Sequence, residues 1–312
     1  MKRTFFAALL ALACTLPTVA QVRQQQRRQT DRHIVYATLE DGTEMKLDLY
    51  RPIASDDEAT DATPPKLVVW VHGGAWMMGN RWPCPMTFLT DHGYAVASVS
   101  YRFSNVAQFP AQLDDCKAAV RFLRANAEHY GYDADHIGVI GASAGGHLAA
   151  LLGTTGNDPD TEGELGEHLD VSSEVQAVYD LFGPTDLEAL SAEIPEESGL
   201  AAHSPIALLL GGDPRLHPDL AQAADPVTYL DADDPPVMIA HGTRDPLVPL
   251  AQSEYFANAL EDAGIEHELI VVQGGGHGGA HFQTPEMIAQ LIAFFDEHLV
   301  DADVDADTKN ND

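Results

Sequence analysis

The sequence predicts an α/β fold in which a mostly parallel, doubly wound sheet starts with an antiparallel hairpin. Two observations predict this fold. Short, wholly apolar runs recur along the chain, as expected for parallel strands that are covered on both faces. Helical patterns fall between or after these runs, and this alternation is typical of a doubly wound sheet. A length of 312 residues with an apolar fraction of 45% is enough for one large domain with a substantial core.

The predicted elements begin with a hairpin, residues 34–39 and 45–50, that turns at Asp41 and Gly42. Six apolar runs follow as candidate parallel strands, at residues 67–71, 95–99, 137–140, 177–181, 237–240 and 269–272. Four helices are expected, at residues 111–127, 144–153, 250–263 and 285–299. Prolines interrupt the alternation from residue 186 to 234. We interpret that stretch as a short insertion over the carboxyl edge of the sheet, where such folds bind ligands.

The N-terminus has the layout of an export signal. Lys2 and Arg3 precede an apolar run, residues 5–16, that is too short to span a bilayer, and small residues lead to a predicted cleavage after Ala20. The predicted organisation is a signal peptide at 1–20, a flexible leader at 21–32, a folded domain at 33–300 and a disordered acidic tail at 301–312. The mature protein is expected to be secreted or periplasmic and free of the membrane. A lipid on Cys14 stays open as an alternative.

The charge balance argues against two kinds of partner. The chain has 48 acidic against 17 basic residues, a formal net charge of −31. A surface this acidic repels nucleic acid and anionic lipid, so neither is expected as a partner. Cys84 and Cys116 remain after processing, and no cysteine–histidine spacing typical of a metal site accompanies them. We expect two free, buried thiols, while a disulfide between them stays open.

A serine flanked by glycines carries the strongest functional signal. Residues 141–146 read Gly-Ala-Ser-Ala-Gly-Gly, between an apolar run and a helical pattern. At a sharp strand-to-helix turn, the positions two residues on either side of a nucleophile must lack side chains, because the backbone there is crowded. Gly141 and Gly145 meet this requirement. The pattern therefore predicts Ser143 as the nucleophile.

A glycine pair after the first parallel strand predicts an oxyanion hole. The backbone N–H groups of Gly73 and Gly74, together with that of Ala144, are expected to stabilise negative charge on a reacting carbonyl oxygen. Trp76 is a candidate substrate-binding residue that would form a wall of the acyl pocket, and an ordinary packing role is the alternative. We expect His72 to brace the turn.

The acid and the general base are expected after the serine, in that order. Asp245 lies in the loop just past the end of the predicted strand 237–240, and Asp180 and Asp186 are earlier rivals. His277 is surrounded by glycines, so little can pack around it, and it fits a catalytic loop better than a core; His281 is its competitor. No third ligand accompanies the two histidines, so no metal is predicted. We predict that His277 is the base, that Asp245 orients it, and that no cofactor takes part.

Six segments together resemble a known group of enzymes: residues 72–76, 101–102, 109–125, 141–153, 233–249 and 274–279. They resemble bacterial α/β-hydrolase esterases, over residues 33–300. The most similar branch lies near the hormone-sensitive-lipase-like enzymes and includes carbohydrate acetyl, xylan acetyl and feruloyl esterases. The resemblance implies the α/β-hydrolase fold and a triad at Ser143, Asp245 and His277.

The resemblance also implies an activity. The expected enzyme is a serine carboxylesterase that acts through an acyl-enzyme. It would remove acetyl or feruloyl groups from small esters or from acylated plant or algal carbohydrate. One departure is Asp225, where many relatives have serine before the following proline. Asp114, Asp115 and His147 are expected to be structural.

Two other functions stay open. Amidases and exopeptidases share the fold and triad, although such relatives usually have an added propeller or an acidic pair that binds an amine. A hydrolase-fold protein that only binds ligands is the alternative from a different class. The sequence leaves open the acyl group, the alcohol and the oligomeric state.

Overall fold

The computed structural model describes residues 28–53, 63–156, 158–193 and 204–299. The predicted signal peptide (1–20), most of the predicted leader and the predicted tail (301–312) lie outside the described residues. Within the described ranges, no helix is long and apolar enough to cross a membrane.

One eight-stranded sheet forms the centre of the fold. Its strands are β1 (Arg28–Thr38), β2 (Glu44–Pro52), β3 (Lys66–Val71), β4 (Ala95–Val99), β5 (Asp133–Ala142), β6 (Ala177–Leu181), β7 (Val237–Gly242) and β8 (His267–Val272). Their order is β1-β2-β4-β3-β5-β6-β7-β8. The pairs β1–β2 and β2–β4 are antiparallel, and every other pair is parallel. The predicted sheet is confirmed, with its antiparallel start.

Helices cover both faces of this sheet. The helices are α1 (Ala111–Ala125), α2 (Ala127–Tyr130), α3 (Ala144–Thr154), α4 (Leu187–Ala192), α5 (Pro205–Leu210), α6 (Pro218–Ala223), α7 (Ala251–Ala263) and α8 (Pro285–His298). Leu123 of α1, Leu148 of α3 and Phe256 of α7 belong to the core on one face. Phe295 of α8 and Leu89, from the 3-10 helix at Pro85–His92, belong to the core on the other. A core on each face is the reason that the parallel strands are apolar throughout.

The first strand begins inside the segment that was predicted to be a flexible leader, residues 21–32. Strand β1 begins at Arg28 rather than near Ile34, and Arg28 pairs with Pro52 of β2. Residues 28–32 carry no apolar pattern, because they extend an edge strand that is half exposed. These residues are ordered by backbone pairing with the edge of β2, and their own side chains do not indicate that pairing.

The first long helix also ends earlier than predicted. Helix α1 stops at Ala125, since Asn126 leaves the helical conformation and its side chain donates a hydrogen bond to the carbonyl of Phe122. The start of α1 is tied to the loop before it, as expected for Asp115, whose carboxylate accepts from the backbone N–H of Arg102 at 2.6 Å and pairs with its guanidinium. Cys84 and Cys116 are free and buried, which confirms that prediction.

The loops that can form a site all leave the same edge of the sheet. Because β3, β5, β6, β7 and β8 are parallel, the segments after their carboxyl ends lie side by side. The insertion, which contributes α4 to α6, is joined to these elements: Ala224 accepts a hydrogen bond from His147 of α3, and Asp225 accepts one from Tyr255 of α7.

Candidate active site

Ser143 lies at a sharp turn between β5 and α3. Its backbone has φ 56° and ψ −123°, a conformation that costs a non-glycine residue about 1–3 kcal/mol and persists only where the surroundings impose it. Here the backbone N–H of Ser143 donates to the carbonyl of Leu181 at 2.8 Å. A Cβ at Gly141 would overlap the carbonyl of Gly145, and one at Gly145 would overlap the carbonyl of Val71. The two glycines are therefore required by close backbone packing.

The glycine loop after β3 packs directly against this turn. A Cβ at Gly73 would lie 2.7 Å from the carbonyl oxygen of Ala142 and 3.3 Å from the Cβ of Ser143. Gly74 has φ 126°, and its carbonyl accepts hydrogen bonds from Met77 and Met78, each at 3.0 Å. The loop that carries Gly73 and Gly74 is therefore next to the serine.

Trp76 is held in the core beside this loop. Only 3% of the residue is exposed, and its indole N–H donates to Nδ1 of His147 at 3.3 Å. His147 is fully buried and donates from Nε2 to the carbonyl of Ala224 at 2.7 Å. These contacts are those of the packing role left open for Trp76. They connect the glycine loop through α3 to the insertion.

The side chains of Ser143, His277 and Asp245 are joined in series. Nε2 of His277 lies 2.8 Å from the Ser143 hydroxyl oxygen, and Nδ1 lies 2.6 Å from Oδ2 of Asp245. The His277 side chain is 16% exposed and that of Asp245 only 1%. With Nδ1 protonated and donating to the carboxylate, Nε2 is free to accept the serine proton.

Asp245 is held as a charged acceptor by several donors. Its Oδ1 accepts from the backbone N–H groups of Leu247 and Val248, at 2.8 and 3.0 Å. Burial raises the pKa of Asp245, but hydrogen bonds from His241, His277 and these N–H groups outweigh burial and hold the pKa well below its ordinary value. The carboxylate therefore stays ionised through the pH range in which a histidine can act as a base.

The rival residues lie elsewhere or have other partners. Asp180 is buried behind the serine turn and accepts from the backbone N–H of Gly183. Asp186 accepts from Ala189 at the start of α4. His281 is exposed, in the short 3-10 helix after the glycine loop. Within the described part of the chain, no cluster of side chains has the composition of a metal site.

Two residues at this site were not predicted. His241 is the penultimate residue of β7, and its Nε2 donates to the carbonyl of Val248 at 2.8 Å while lying 3.4 Å from Oδ2 of Asp245. Phe182, with φ 46°, packs its ring 4.7 Å from the ring of His277. The only sequence signal was their position, directly at the carboxyl ends of strands that lead to the site.

Replacing His241 with phenylalanine is expected to lower kcat about 10- to 100-fold with little change in KM. The ring keeps its volume, but Asp245 and the loop at Val248 lose a donor, and hydrogen bonds to charged groups contribute about 1.5–3 kcal/mol. Steady-state kinetics measure the effect. His267→Phe, at the amino end of β8 and so away from the carboxyl edge that carries the site, is the matched control. An unchanged kcat in His241→Phe would show that this donor does not position the acid.

His147 is expected to make the fold sensitive to acid. Burial lowers its pKa to about 4 from an ordinary 6.5, against the opposing hydrogen bond to Ala224. As the pH falls, this histidine is protonated in the unfolded chain before it is protonated in the folded one. The neutral His147 therefore contributes fully to the free energy of unfolding above about pH 6.5, and that contribution is lost as the pH falls toward 4. The loss amounts to about 3 kcal/mol.

Urea denaturation at pH 7 and pH 4.5 measures this effect. His147→Leu should remove that part of the pH dependence, and the exposed His281→Leu should leave it unchanged. Equal pH dependence in the wild type and His147→Leu would contradict the assignment.

Comparison with known proteins identifies the fold and the family. The sheet, with the serine turn after β5, defines an α/β-hydrolase. The BD-FAE family model matches residues 47–260, more than half of the chain. The chain therefore belongs to the BD-FAE family. A second model, described as TAP-like protein, matches residues 218–309.

Relatives and solved structures share this fold over most of the chain. Esterase LipC of Mycobacterium tuberculosis is 31% identical over 84% of this chain, and the match spans 63% of LipC. A truncated carbohydrate esterase from gut microbiota superposes with a TM-score of 0.76 at 34% identity, covering 86% of this chain and 96% of that one. A bifunctional GH43-CE protein of Bacteroides eggerthii has a TM-score of 0.77 at 36% identity, covering 87% and 35%. The chain thus spans less than two thirds of the length of LipC.

Proposed function

We propose that this protein is a serine carboxylesterase in which Ser143 is the nucleophile, His277 the general base and Asp245 the acid that orients it. The observation that carries the proposal is the hydrogen-bonded series from the serine hydroxyl through the imidazole to the carboxylate. The strained backbone at Ser143 supports it, because strain of this kind is concentrated at functional sites. The LipC and gut carbohydrate esterase matches supply the class of substrate bond.

The reaction follows from the positions of the protons. His277 takes the Ser143 proton at Nε2 as the hydroxyl oxygen attacks the ester carbonyl carbon. The negative charge on the carbonyl oxygen is stabilised by the N–H groups of Gly73, Gly74 and Ala144. Collapse releases the alcohol, which receives the proton from His277. Water then loses a proton to His277 and attacks the acyl carbon, and Ser143 recovers its proton as the acid leaves.

We infer that the acyl group is acetyl or feruloyl, and that the alcohol is a carbohydrate. One similar solved structure is a carbohydrate esterase from gut microbiota, at 34% identity, and another is a bifunctional GH43-CE protein, at 36% identity. An exported enzyme would meet such polymers outside the cell, and residues 1–20 have the pattern of an export signal.

A panel of substrates tests this proposal. Rates are measured for the wild type and for Ser143→Ala with acetyl, butyryl and feruloyl esters of one alcohol, with acetylated xylan, and with the matching acetyl anilide. We expect hydrolysis of acetyl or feruloyl esters and of the xylan, slower turnover of the anilide and only background rates for Ser143→Ala. Faster turnover of the anilide than of the esters would favour an amidase instead.

A further inference from the structure

A polar cavity lies where β1 and β2 meet the segment between β3 and β4. Its volume is about 270 Å³, and Arg28, Arg32, Tyr50 and Trp82 are among the residues that line it. Arg28 and Thr30 alternate along β1 and so face the same side of the sheet, and Thr30 is paired with Tyr50 of β2. Arg32 follows at a register shift between Asp31 and Ile34, and its side chain also lines the cavity. None of the residues proposed for catalysis lines this cavity.

The arginines of this cavity differ from several other arginines of the chain. Arg51, Arg81 and Arg102 each pair with a carboxylate, those of Asp31, Asp48 and Asp115 in turn. Within residues 28–53, 63–156, 158–193 and 204–299, Arg28 and Arg32 form no such pair. In a chain with a net charge of −31, two guanidinium groups without carboxylates leave a local positive potential that can attract an anion.

Two buried polar atoms in this cavity lack hydrogen-bond partners. Nη1 of Arg28 donates to the carbonyl of Thr87 at 2.7 Å. Arg28 Nε and the Tyr50 hydroxyl have no partner among the described residues, and Tyr50 is only 4% exposed. Such buried groups are normally satisfied, because leaving one unpaired costs about 1–3 kcal/mol. The Nε edge of a guanidinium is also one that binds a carboxylate through two parallel hydrogen bonds.

The cavity also has an aromatic platform. Trp82 is 49% exposed, and the guanidinium carbon of Arg32 lies 5.3 Å from the centre of its ring. A half-exposed indole offers a flat apolar face and a polar edge, which suits a ring that has one face of C–H groups and a polar rim. Sugar rings have this character.

We propose that this cavity binds a carboxylate-bearing sugar, such as a uronic acid residue of an acylated polysaccharide. The carboxylate pairs with Arg28 and Arg32, the Tyr50 hydroxyl bonds to a ring substituent, and the sugar face packs on Trp82. The choice of a carbohydrate rests on the proposed function. The site would hold the polymer while a different unit of it reaches Ser143.

Calorimetric titration of the full-length Ser143→Ala chain tests this site without turnover. The probes are a xylo-oligosaccharide carrying glucuronate, the same oligosaccharide without it, sodium glucuronate and sodium sulfate. We expect the charged oligosaccharide to bind at least tenfold more tightly than the neutral one. Adding Arg32→Gln or Trp82→Ala should weaken that binding at least tenfold, and Tyr50→Phe should weaken it several-fold. Lys46→Gln, which removes one charge from β2 outside the cavity, should not.

Several results would overturn the proposal. These are equal affinity for the charged and neutral oligosaccharides, unchanged affinity in Arg32→Gln and Trp82→Ala, or sulfate binding as tightly as the charged oligosaccharide, which would indicate a simple anion site. Thermal melting checks that each variant is folded. In the wild-type background these variants should hydrolyse a small acetyl ester at the normal rate. A wild type without esterase activity would refute the proposed function separately, because the titration does not depend on turnover.

Discussion

Ser143→Ala is expected to lower kcat for a small acetyl ester by about 10⁴- to 10⁶-fold, the range found when a serine nucleophile is removed from a triad. A large effect is expected because the Ser143 hydroxyl lies 2.8 Å from Nε2 of His277, whose Nδ1 lies 2.6 Å from Oδ2 of Asp245. The substitution removes the group that would attack the ester. His277→Ala should lose as much, and the double variant should lose little more, because the two residues act as one unit. Steady-state kinetics with active-site titration measure these losses.

The rival residues provide matched controls. Asp245→Asn keeps the shape of the acid but offers a donor to Nδ1 of His277, which favours the wrong tautomer; a loss of about 10⁴-fold is expected. His281→Ala and Asp186→Asn remove a histidine and an aspartate that lie outside the hydrogen-bonded series. Both should keep the wild-type kcat. A loss in either control as large as in His277→Ala or Asp245→Asn would mean that the triad is assigned to the wrong side chains.

Gly74→Ala is expected to lower kcat about 10²- to 10³-fold. Gly74 has φ 126°, and an added Cβ would overlap the backbone carbonyl of Met78. A backbone carbonyl cannot rotate away as a flexible side chain can. The loop must shift, and the N–H groups of Gly73 and Gly74 shift with it. Losing one oxyanion donor typically costs about 2.7–4 kcal/mol in the transition state, which gives the expected range.

Gly264→Ala separates this effect from that of a left-handed backbone alone. Gly264 caps the carboxyl end of α7 with φ 76°, and an added Cβ there has no heavy atom within 4 Å. This control should lose about 1 kcal/mol of unfolding free energy and keep its kcat. Urea denaturation and kinetics on both variants provide the comparison. A folded Gly74→Ala enzyme with wild-type kcat would exclude this loop from the oxyanion hole.

Most of the parallel sheet could be predicted because its strands are buried on both faces. The runs 95–99 and 177–181 match β4 and β6 residue for residue. The run 137–140 found only the middle of β5, which extends from Asp133 to Ala142. The added residues include polar side chains and a glycine, so the apolar pattern does not reach them. Their strand conformation depends on pairing with β3 and β6.

The start of β1 could not be predicted for a related reason. Residues 28–32 include two arginines and no aliphatic side chain, a composition that fits a leader as well as a strand. What orders them is the backbone of β2, together with the hydrogen bond from Arg28 to Thr87, 59 residues away. Contacts over such a separation leave no local pattern.

The residues of the candidate site also differ in whether the sequence could predict them. Gly141, Gly145 and the glycines around His277 mark their positions because the backbone is crowded or exposed there, and that requirement is written into the residue type. His241 has no such mark. Its partners, the hydroxyl of Ser253 at 2.6 Å and the carbonyl of Val248 at 2.8 Å, come together only when α7 packs beside β7. A histidine at the end of a buried strand is equally consistent with a core residue.

Covalent labelling tests the central claim most directly. The wild type, Ser143→Ala and His281→Ala are treated with a fluorophosphonate that reacts with activated serines, and intact mass and peptide mapping locate the adduct. The account predicts one adduct per chain, on Ser143, in the wild type and in His281→Ala, and none in Ser143→Ala. A stoichiometric adduct on another residue, or equal labelling of Ser143→Ala, would contradict it.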